Sequence, residues 1–189
     1  MVIVDLDRTN ADHMRQTAEL LYTSFRGISE AWPTLELAMG EVLDSLEEKK
    51  VSRVALDDEG TVCGWIGGSP QYDGHVMELH PLVVREEMRG IGVGTALVTD
   101  LERHARAVRA STIFVGTDDE SGATSLSGQD LYEDTFGKLE RVRNLANHPF
   151  EFYQKVGFRI VGVLPDANGP MKPDIYMAKR VTYDVGREE

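Results

Sequence analysis

A strand-like hydrophobic run changes abruptly into a glycine-rich turn near the middle of the chain. Residues 82–95 read LVVREEMRGIGVGT, with glycines at Gly90, Gly92 and Gly94. The β-branched residues before the turn predict a strand. The apolar spacing from Thr95 to Val108 predicts an amphipathic helix. A strand, a glycine turn and a helix in direct succession indicate an α/β chain.

This turn has the chemistry of an anion-binding site. The first N–H groups of a helix are unpaired and lie at the positive end of its dipole. Glycines let the backbone approach an anion closely, and Arg89 adds a positive charge at the mouth of the turn. We therefore favour phosphate binding over a plain strand-to-helix turn. Thr95 stands where a dinucleotide-binding loop needs its third glycine, and the chain has no P-loop sequence.

Length, charge and cysteine content narrow the class of protein. A chain of 189 residues suits a single domain over residues 1–189. Its net charge of −12 argues against nucleic acid or an anionic membrane as a partner. Cys63 is the only cysteine, which excludes an intrachain disulfide and a cysteine-cluster zinc site, and we expect no metal. With no signal-peptide pattern and no run of about 18 apolar residues, we expect a cytoplasmic protein.

Hydrophobic periodicity predicts the element order β-α-α-β-β-β-α-β-α-α-β-β. The predicted strands cover about residues 2–6, 52–58, 61–72, 75–84, 111–117, 158–164 and 174–181. The predicted helices cover about residues 11–25, 34–50, 95–108, 128–146 and 149–156. The fourth helix depends on a capping box formed by Ser127 and Asp130. The order is typical of a mixed α/β layout around one sheet.

Two signatures in the second half of the chain resemble those of the GNAT superfamily of N-acetyltransferases. Residues 89–94, RGIGVG, match its [QR]-x-x-G-x-[GA] pyrophosphate loop. Residues 147–158, NHPFEFYQKVGF, resemble its second signature, a short helix that carries a tyrosine and ends at Gly-Phe. The resemblance implies the GNAT fold, a mixed and mostly antiparallel central sheet flanked by helices, with acetyl-CoA as cosubstrate.

The resemblance also implies which residues bind acetyl-CoA. They lie on the strand, on the glycine turn and in the second signature: Leu82, Val83, Val84, Arg89, Gly90, Ile91, Gly92, Val93, Gly94, Thr95 and Tyr153.

A narrower resemblance points to one branch, the chromosomally encoded, dimeric aminoglycoside 6′-N-acetyltransferases. It is carried by ELHPLVV at 78–84, GTDD at 116–119, DLYE at 130–133, HPFEFY at 148–153 and KPDIYMAK at 172–179. The branch implies acetylation of the 6′-amine of an aminoglycoside and a homodimer. The likeness is weakest around residues 24–50.

Acetyl transfer to an amine needs a base for the ammonium, a donor for the carbonyl oxygen and an acid for the thiolate. Glu78 and His80 share one face of a strand. The resemblance implies that Glu78 is the base, acting through water, and that His80 positions the substrate or shares in proton removal. It assigns the carbonyl to the N–H of Leu82, after Pro81 interrupts strand pairing, and the acid role to Tyr153. The alternative for Glu78 and His80 is that both side chains are simply solvated. The alternative for Tyr153 is that it only packs in its helix.

Acidic residues between positions 118 and 134 indicate a cationic substrate. Six carboxylates occur there without an intervening Lys or Arg, and such clusters attract polycations. Asp118 and Asp119 are the predicted contacts because they follow a buried strand. Trp32 and Tyr72 are candidate apolar walls of the acceptor site, with a place in the core as the alternative.

Three functions stay open on these grounds. The first is N-acetylation of an aminoglycoside, and the second is acetylation of a polyamine, another small amine or a basic protein segment. The third is a non-catalytic acetyl-CoA-binding module, against which the presence of both Glu78 and Tyr153 argues.

Overall fold

The computed structural model describes residues 1–29 and 31–181. The described residues form seven strands and five α-helices in the predicted order β-α-α-β-β-β-α-β-α-α-β-β. The strands are β1 Val2–Asp5, β2 Val51–Leu56, β3 Val62–Gln71, β4 Val76–Val84, β5 Thr112–Asp118, β6 Arg159–Leu164 and β7 Asp174–Arg180. The helices are α1 Ala11–Phe25, α2 Leu35–Asp44, α3 Val93–Ala107, α4 Thr135–Glu140 and α5 Phe150–Lys155.

The chain divides into two compact units, residues 1–113 with Val181, and residues 114–180. In the first unit the strands pair in the order β1-β2-β3-β4, and all three pairs are antiparallel. In the second unit β7 lies between β5 and β6 and is antiparallel to β6. This mixed, mostly antiparallel α/β arrangement confirms the predicted fold class.

Helices cover both faces of the strands in the first unit. Trp65 of β3 is fully buried and belongs to the same apolar cluster as Leu21 of α1. On the opposite face, a Cβ on Gly68 would lie only 2.6 Å from Leu101 Cδ1 of α3. The missing side chain at Gly68 therefore lets α3 pack closely against this strand. Helix α1 begins where predicted because the Asn10 side chain accepts a hydrogen bond from the His13 N–H at 3.0 Å.

Regular pairing between β3 and β4 is interrupted at one point. Ile66 pairs with Leu82, and Gly68 pairs with Leu79. Gly67 of β3 therefore faces two residues of β4, His80 and Pro81, which is a β-bulge. Because Pro81 has no N–H to donate, the bulge agrees with the interruption that the sequence predicts.

The predicted helix over residues 34–50 ends early. The structure ends α2 at Asp44 and continues with turns. The Ser45 hydroxyl lies 2.6 Å from the Val42 carbonyl oxygen and 2.9 Å from the Ser52 hydroxyl of β2. Lys49 has a positive φ of 72°, which a helix cannot accommodate. The apolar spacing alone did not reveal these polar contacts.

The predicted helix over residues 128–146 is wrong, since only α4, Thr135–Glu140, forms there. The predicted capping box does not form because the Ser127 hydroxyl donates to the Met171 carbonyl oxygen at 3.4 Å. Gly128 adopts a φ of 75° and donates its N–H to the same oxygen. Contacts with a distant segment therefore override the local capping signal.

The bulge yields a prediction on stability. A Cβ on Gly67 would clash with the His80 carbonyl oxygen, which is backbone and has no rotamer to change. We expect Gly67→Ala to lower the free energy of unfolding by about 1–3 kcal/mol, the usual cost of overpacking. Urea denaturation measures this change. Gly162→Ala in β6 is the matched control, because its Cβ would meet nothing within 4 Å. Equal stability of the two variants would contradict the close approach.

Candidate active site

Glu78 and His80 of β4 border one cavity in the first unit. The Glu78 side chain is half-buried, and its Oε2 accepts a hydrogen bond from Gln71 Nε2 at 2.9 Å. The His80 side chain is about half exposed. The cavity has a volume of about 180 Å³ and is lined by Glu41, Ser45, Lys50, Val51, Gly68, Ser69, Glu78 and His80. The structure thus brings the predicted pair together at a concave, polar surface.

Trp32 forms a buried wall behind His80. The centroids of these two rings lie 5.7 Å apart, and the Phe25 ring packs edge-on against Trp32 at a centroid distance of 4.8 Å. Trp32 is therefore both a core residue and a neighbour of the cavity. Tyr72 behaves differently: it is 77% exposed in a 3₁₀ turn between β3 and β4, and the lining residues do not include it. The structure gives no support to Tyr72 as an apolar wall.

Sequence reasoning missed Glu41 of α2. This carboxylate lines the same cavity, and one of its oxygens lies 3.7 Å from His80 Nε2. The sequence carries no local signal for this role because helix α2 and strand β4 are distant along the chain.

The glycine turn after β4 has the backbone conformation that the sequence predicts. Gly90 and Gly92 have positive φ values of 77° and 99°, and Gly92 caps α3 in the left-handed region. Helix α3 begins at Val93, two residues before the predicted Thr95, and among the described residues no side chain caps it. Since Ala96 already donates to the Gly92 carbonyl oxygen, the N–H groups of residues 93–95 form the open end. This geometry suits an anion.

The strand that leads into this turn alternates in burial. Val83 is 4% exposed, whereas Leu82 and Val84 are half-buried. The alternation reverses across the bulge, so Leu82 and Val84 lie on the face of the sheet opposite to Glu78. Arg89 is exposed at the turn, and its Nε donates to the Val84 carbonyl oxygen at 3.1 Å. The predicted cofactor residues from 82 to 95 therefore form one continuous segment of the first unit.

Asp119, a predicted substrate contact, has a structural role in the second unit. Its side chain is fully buried and accepts hydrogen bonds from the Ala123 N–H at 2.6 Å, the Thr124 N–H at 2.9 Å and the Thr124 hydroxyl at 2.6 Å. A carboxylate enclosed in this way holds its own loop and does not meet an amine, so the structure contradicts this prediction. Asp118 is exposed, and its Oδ1 accepts from Asn168 Nδ2 at 2.9 Å.

Tyr153 lies on α5 of the second unit, as the second signature predicts. Its ring is 7% exposed and packs against Phe152 and Phe158 at centroid distances of 5.3 and 5.5 Å. Burial raises the pKa of Tyr153 well above its usual value. The phenol therefore keeps its proton at neutral pH, which a proton donor requires.

His148 joins the start of α5 to the end of β5. Its Nδ1 accepts from the Phe150 N–H at 3.3 Å, which leaves Nε2 to donate to the Asp118 carbonyl oxygen at 3.1 Å. Asn144 holds the His148 backbone through two further hydrogen bonds. His148 therefore supports the segment that carries Tyr153.

Within residues 1–29 and 31–181, no three His, Cys, Asp or Glu side chains are grouped so that they could hold a metal ion. No helix in the described part of the chain is long and apolar enough to cross a membrane.

Comparison with known proteins identifies relatives along most of the chain. Residues 14–137 match the model of the acetyltransferase (GNAT) family. No curated protein sequence matches the chain significantly.

Three solved structures are similar to almost the whole chain. A crystal structure of aminoglycoside 6′-N-acetyltransferase complexed with coenzyme A has 40% identity and a TM-score of 0.88, over 97% of this chain and 98% of that one. The aminoglycoside 6′-N-acetyltransferase from Enterococcus faecium has 40% identity and a TM-score of 0.87 over the same shares. An aminoglycoside 6′-acetyltransferase type Ii has 34% identity and a TM-score of 0.72, over 97% and 99%.

The buried histidine yields a prediction on pH dependence. Burial lowers the pKa of His148 below the unfolded value of about 6.5, so below that pH the unfolded chain binds the proton more readily. This contribution to stability is present above pH 6.5 and is lost as the pH falls. We expect His148→Gln to flatten the fall in unfolding free energy between about pH 7 and pH 5, by at most about 1.4 kcal/mol per pH unit.

Urea denaturation at several pH values measures this effect. His75→Gln is the control, because the His75 side chain is exposed. If the unfolding free energy of His148→Gln falls with pH as steeply as that of the parent protein, the fold does not hold His148 neutral.

Proposed function

The chain belongs to the acetyltransferase (GNAT) family, and we propose that it transfers the acetyl group of acetyl-CoA to the 6′-amine of an aminoglycoside. One observation carries the choice of acceptor: 40% identity with two aminoglycoside 6′-N-acetyltransferase structures extends over 97% of this chain. A shared fold alone does not select a substrate. The identity, in contrast, spans almost the entire chain, including the segment in which the motifs are weakest.

The glycine turn is the proposed site of the CoA pyrophosphate. The support is its geometry, two left-handed glycines followed by an uncapped helix of 15 residues. The open N–H groups would donate to phosphate oxygens at the positive end of the dipole. Arg89 would add a charge at the mouth of the turn. The acetyl end would then lie along Leu82, Val83 and Val84, in the order that family likeness implies.

The β4 cavity is the proposed site of the reacting amine. Glu78 would attract the ammonium and accept its proton through water, and His80 would position the amine and share in proton removal. The freed lone pair attacks the acetyl carbon while the carbon–sulfur bond breaks. The N–H of Leu82, which directly follows the bulge, is the proposed donor to the carbonyl oxygen as it gains negative charge.

Tyr153 is the proposed acid for the CoA thiolate. Its position in the second signature supports this role, and its phenol carries the proton to be donated. The thiolate takes that proton, and water returns one to the phenol at the end of the cycle.

The product explains how the reaction would confer resistance. An amide is not protonated at neutral pH, so the aminoglycoside loses one positive charge. Polycations bind nucleic acid through its phosphates, and each lost charge weakens that contact. Acetylation would thus lower the affinity of the drug for RNA.

Three further statements belong to the proposal. We propose one catalytic domain over residues 1–189, because the family model spans the boundary between the two compact units. We propose a cytoplasmic location, where acetyl-CoA is available. We also propose a homodimer, supported by family likeness and by exposed apolar side chains in the second unit, among them Tyr132, Phe136, Leu145 and Val161.

Steady-state release of the CoA thiol tests the proposed function. Aminoglycosides with a 6′-amine, spermidine and a lysine-rich peptide would be compared at equal concentration. We expect kcat/KM for the best aminoglycoside to exceed that for the other two amines by at least about 100-fold, the discrimination available to a site with several specific polar contacts. A preference for spermidine or the peptide would overturn the acceptor and retain the acetyltransferase.

A glycine pair tests the proposed pyrophosphate site. Gly92 and Gly60 both have positive φ values, 99° and 80°, and a Cβ on either would meet nothing within 4 Å. Gly92→Ala and Gly60→Ala should therefore carry similar backbone strain, about 1–2 kcal/mol. Only the methyl group at Gly92 would enter the proposed phosphate site, so we expect about 10-fold or greater loss of CoA affinity there. Calorimetry on the folded proteins measures the CoA affinity of both variants. If Gly92→Ala binds CoA as tightly as the parent protein, the glycine turn is not the pyrophosphate site.

A further inference from the structure

A carboxylate on α2 lies against the histidine of the proposed acceptor site. Helix α2 buries Ala38 and Val42, and Glu41 is next to Val42 in sequence. The Glu41 side chain is 25% exposed and lines the 180 Å³ cavity together with Glu78 and His80. An ionised side chain that is three-quarters covered needs partners, since burial of an unpaired charge is costly.

The two oxygens of Glu41 have different partners. Oε2 accepts a hydrogen bond from Trp32 Nε1 at 3.4 Å, and Oε1 lies 3.7 Å from His80 Nε2. The Trp32 ring also packs against Phe25 in an edge-to-face contact. Trp32 thus holds one oxygen of the carboxylate, and the other oxygen faces the imidazole. The contact joins three separate segments: the residues before α2, α2 itself and β4.

We propose that Glu41 is a positioning residue for His80 in acetyl transfer, an inference that rests on the proposed function. A carboxylate at Nε2 favours the imidazole tautomer with its proton on Nε2. That tautomer leaves a lone pair on Nδ1, which is the atom able to accept a proton from the acceptor ammonium. On the route in which His80 takes the proton in place of Glu78 and its water, an N–H bond of the ammonium breaks, an Nδ1–H bond forms, and the amine lone pair becomes available to the acetyl carbon.

The distance of 3.7 Å determines when the contact acts. This distance is longer than that of a direct hydrogen bond. It is short enough for an ion pair between the Glu41 carboxylate and the His80 ring once the ring is charged. The attraction therefore strengthens when His80 gains the proton that the substrate loses. Stabilisation that appears only as the reaction proceeds raises kcat and does not simply tighten binding.

The surrounding charges leave Glu41 available for this role. Lys50 also lines the cavity, and its Nζ forms an ion pair with Glu47 Oε2 at 2.8 Å. Glu78 lies on the same strand as His80, and its Oε2 is held by Gln71. Glu78 and Glu41 thus have separate partners, which fits separate tasks: Glu78 attracts the ammonium, and Glu41 orients the imidazole.

The first test measures the tautomer directly. Long-range ¹H–¹⁵N NMR distinguishes the two tautomers, and the signals that His80→Gln removes identify the ring. We expect the Nε2–H form in the parent protein. In Glu41→Gln the amide oxygen can still accept from Trp32 Nε1, while the amide N–H₂ faces the ring, so the population should shift toward Nδ1–H. Glu36→Gln is the matched control, since Glu36 is an exposed residue of the same helix. An unchanged tautomer in Glu41→Gln would overturn the proposal.

The second test is a double-mutant cycle on kinetics. We expect Glu41→Gln to lower kcat by about 3- to 10-fold, a modest loss because His80 is half exposed, with the KM for acetyl-CoA unchanged. In the His80→Gln background the same substitution should cause no further loss. Glu41→Asp, which keeps the charge, should recover part of kcat, and Glu36→Gln should match the parent. If the loss of kcat in the double variant equals the product of the losses in Glu41→Gln and His80→Gln, Glu41 does not act through His80.

The two tests separate this inference from the proposed function. If the parent acetylates a polyamine or a peptide and no aminoglycoside, the acceptor assignment fails, and the kinetic cycle is run with the amine that reacts. The NMR measurement needs no substrate at all. A tautomer shift together with an inactive aminoglycoside panel would therefore retain the Glu41 contact and reject the acceptor.

Discussion

The close approach of Gly67 to the carbonyl oxygen of His80 is the constraint on which the first unit depends. Only a glycine leaves room for the bulge, in which one residue of β3 faces two of β4. Because the bulge lies between Leu79 and Leu82, it interrupts pairing where the proposed amine and thioester meet. The same strand then runs directly into the glycine turn. One strand therefore carries the proposed base, the carbonyl donor and the approach to the phosphate site.

Features set by neighbours in sequence could be predicted, and features set by distant contacts could not. The Asn10 cap of α1 and the left-handed glycines before α3 depend on residues within one turn, and both form as expected. The helix predicted from Ser127 fails because the Ser127 hydroxyl bonds to Met171 instead. Local patterns contain no information about a partner 44 residues away.

The candidate site residues also divide into those that neighbouring residues in the sequence predict and those that distant contacts determine. Glu78 and His80 share a strand face, so alternation alone places them together. Glu41 reaches His80 from another element, and nothing in the spacing of α2 indicates it. Asp119 looked like an exposed acid beside Asp118, yet it is enclosed by the loop that it organises. Acidic composition therefore overstated the number of carboxylates available to a cation.

The amine on the 6′ carbon of an aminoglycoside is the proposed acceptor of the acetyl group. A matched pair of aminoglycosides that differ only at this carbon, one with an amine and one with a hydroxyl, tests this proposal most directly. With acetyl-CoA and the parent protein, we expect one acetyl group on the first compound, located at the 6′ nitrogen by NMR of the isolated product, and no N-acetylation of the second. Equal acetylation of both compounds, or an acetyl group on another amine of the first, would contradict it.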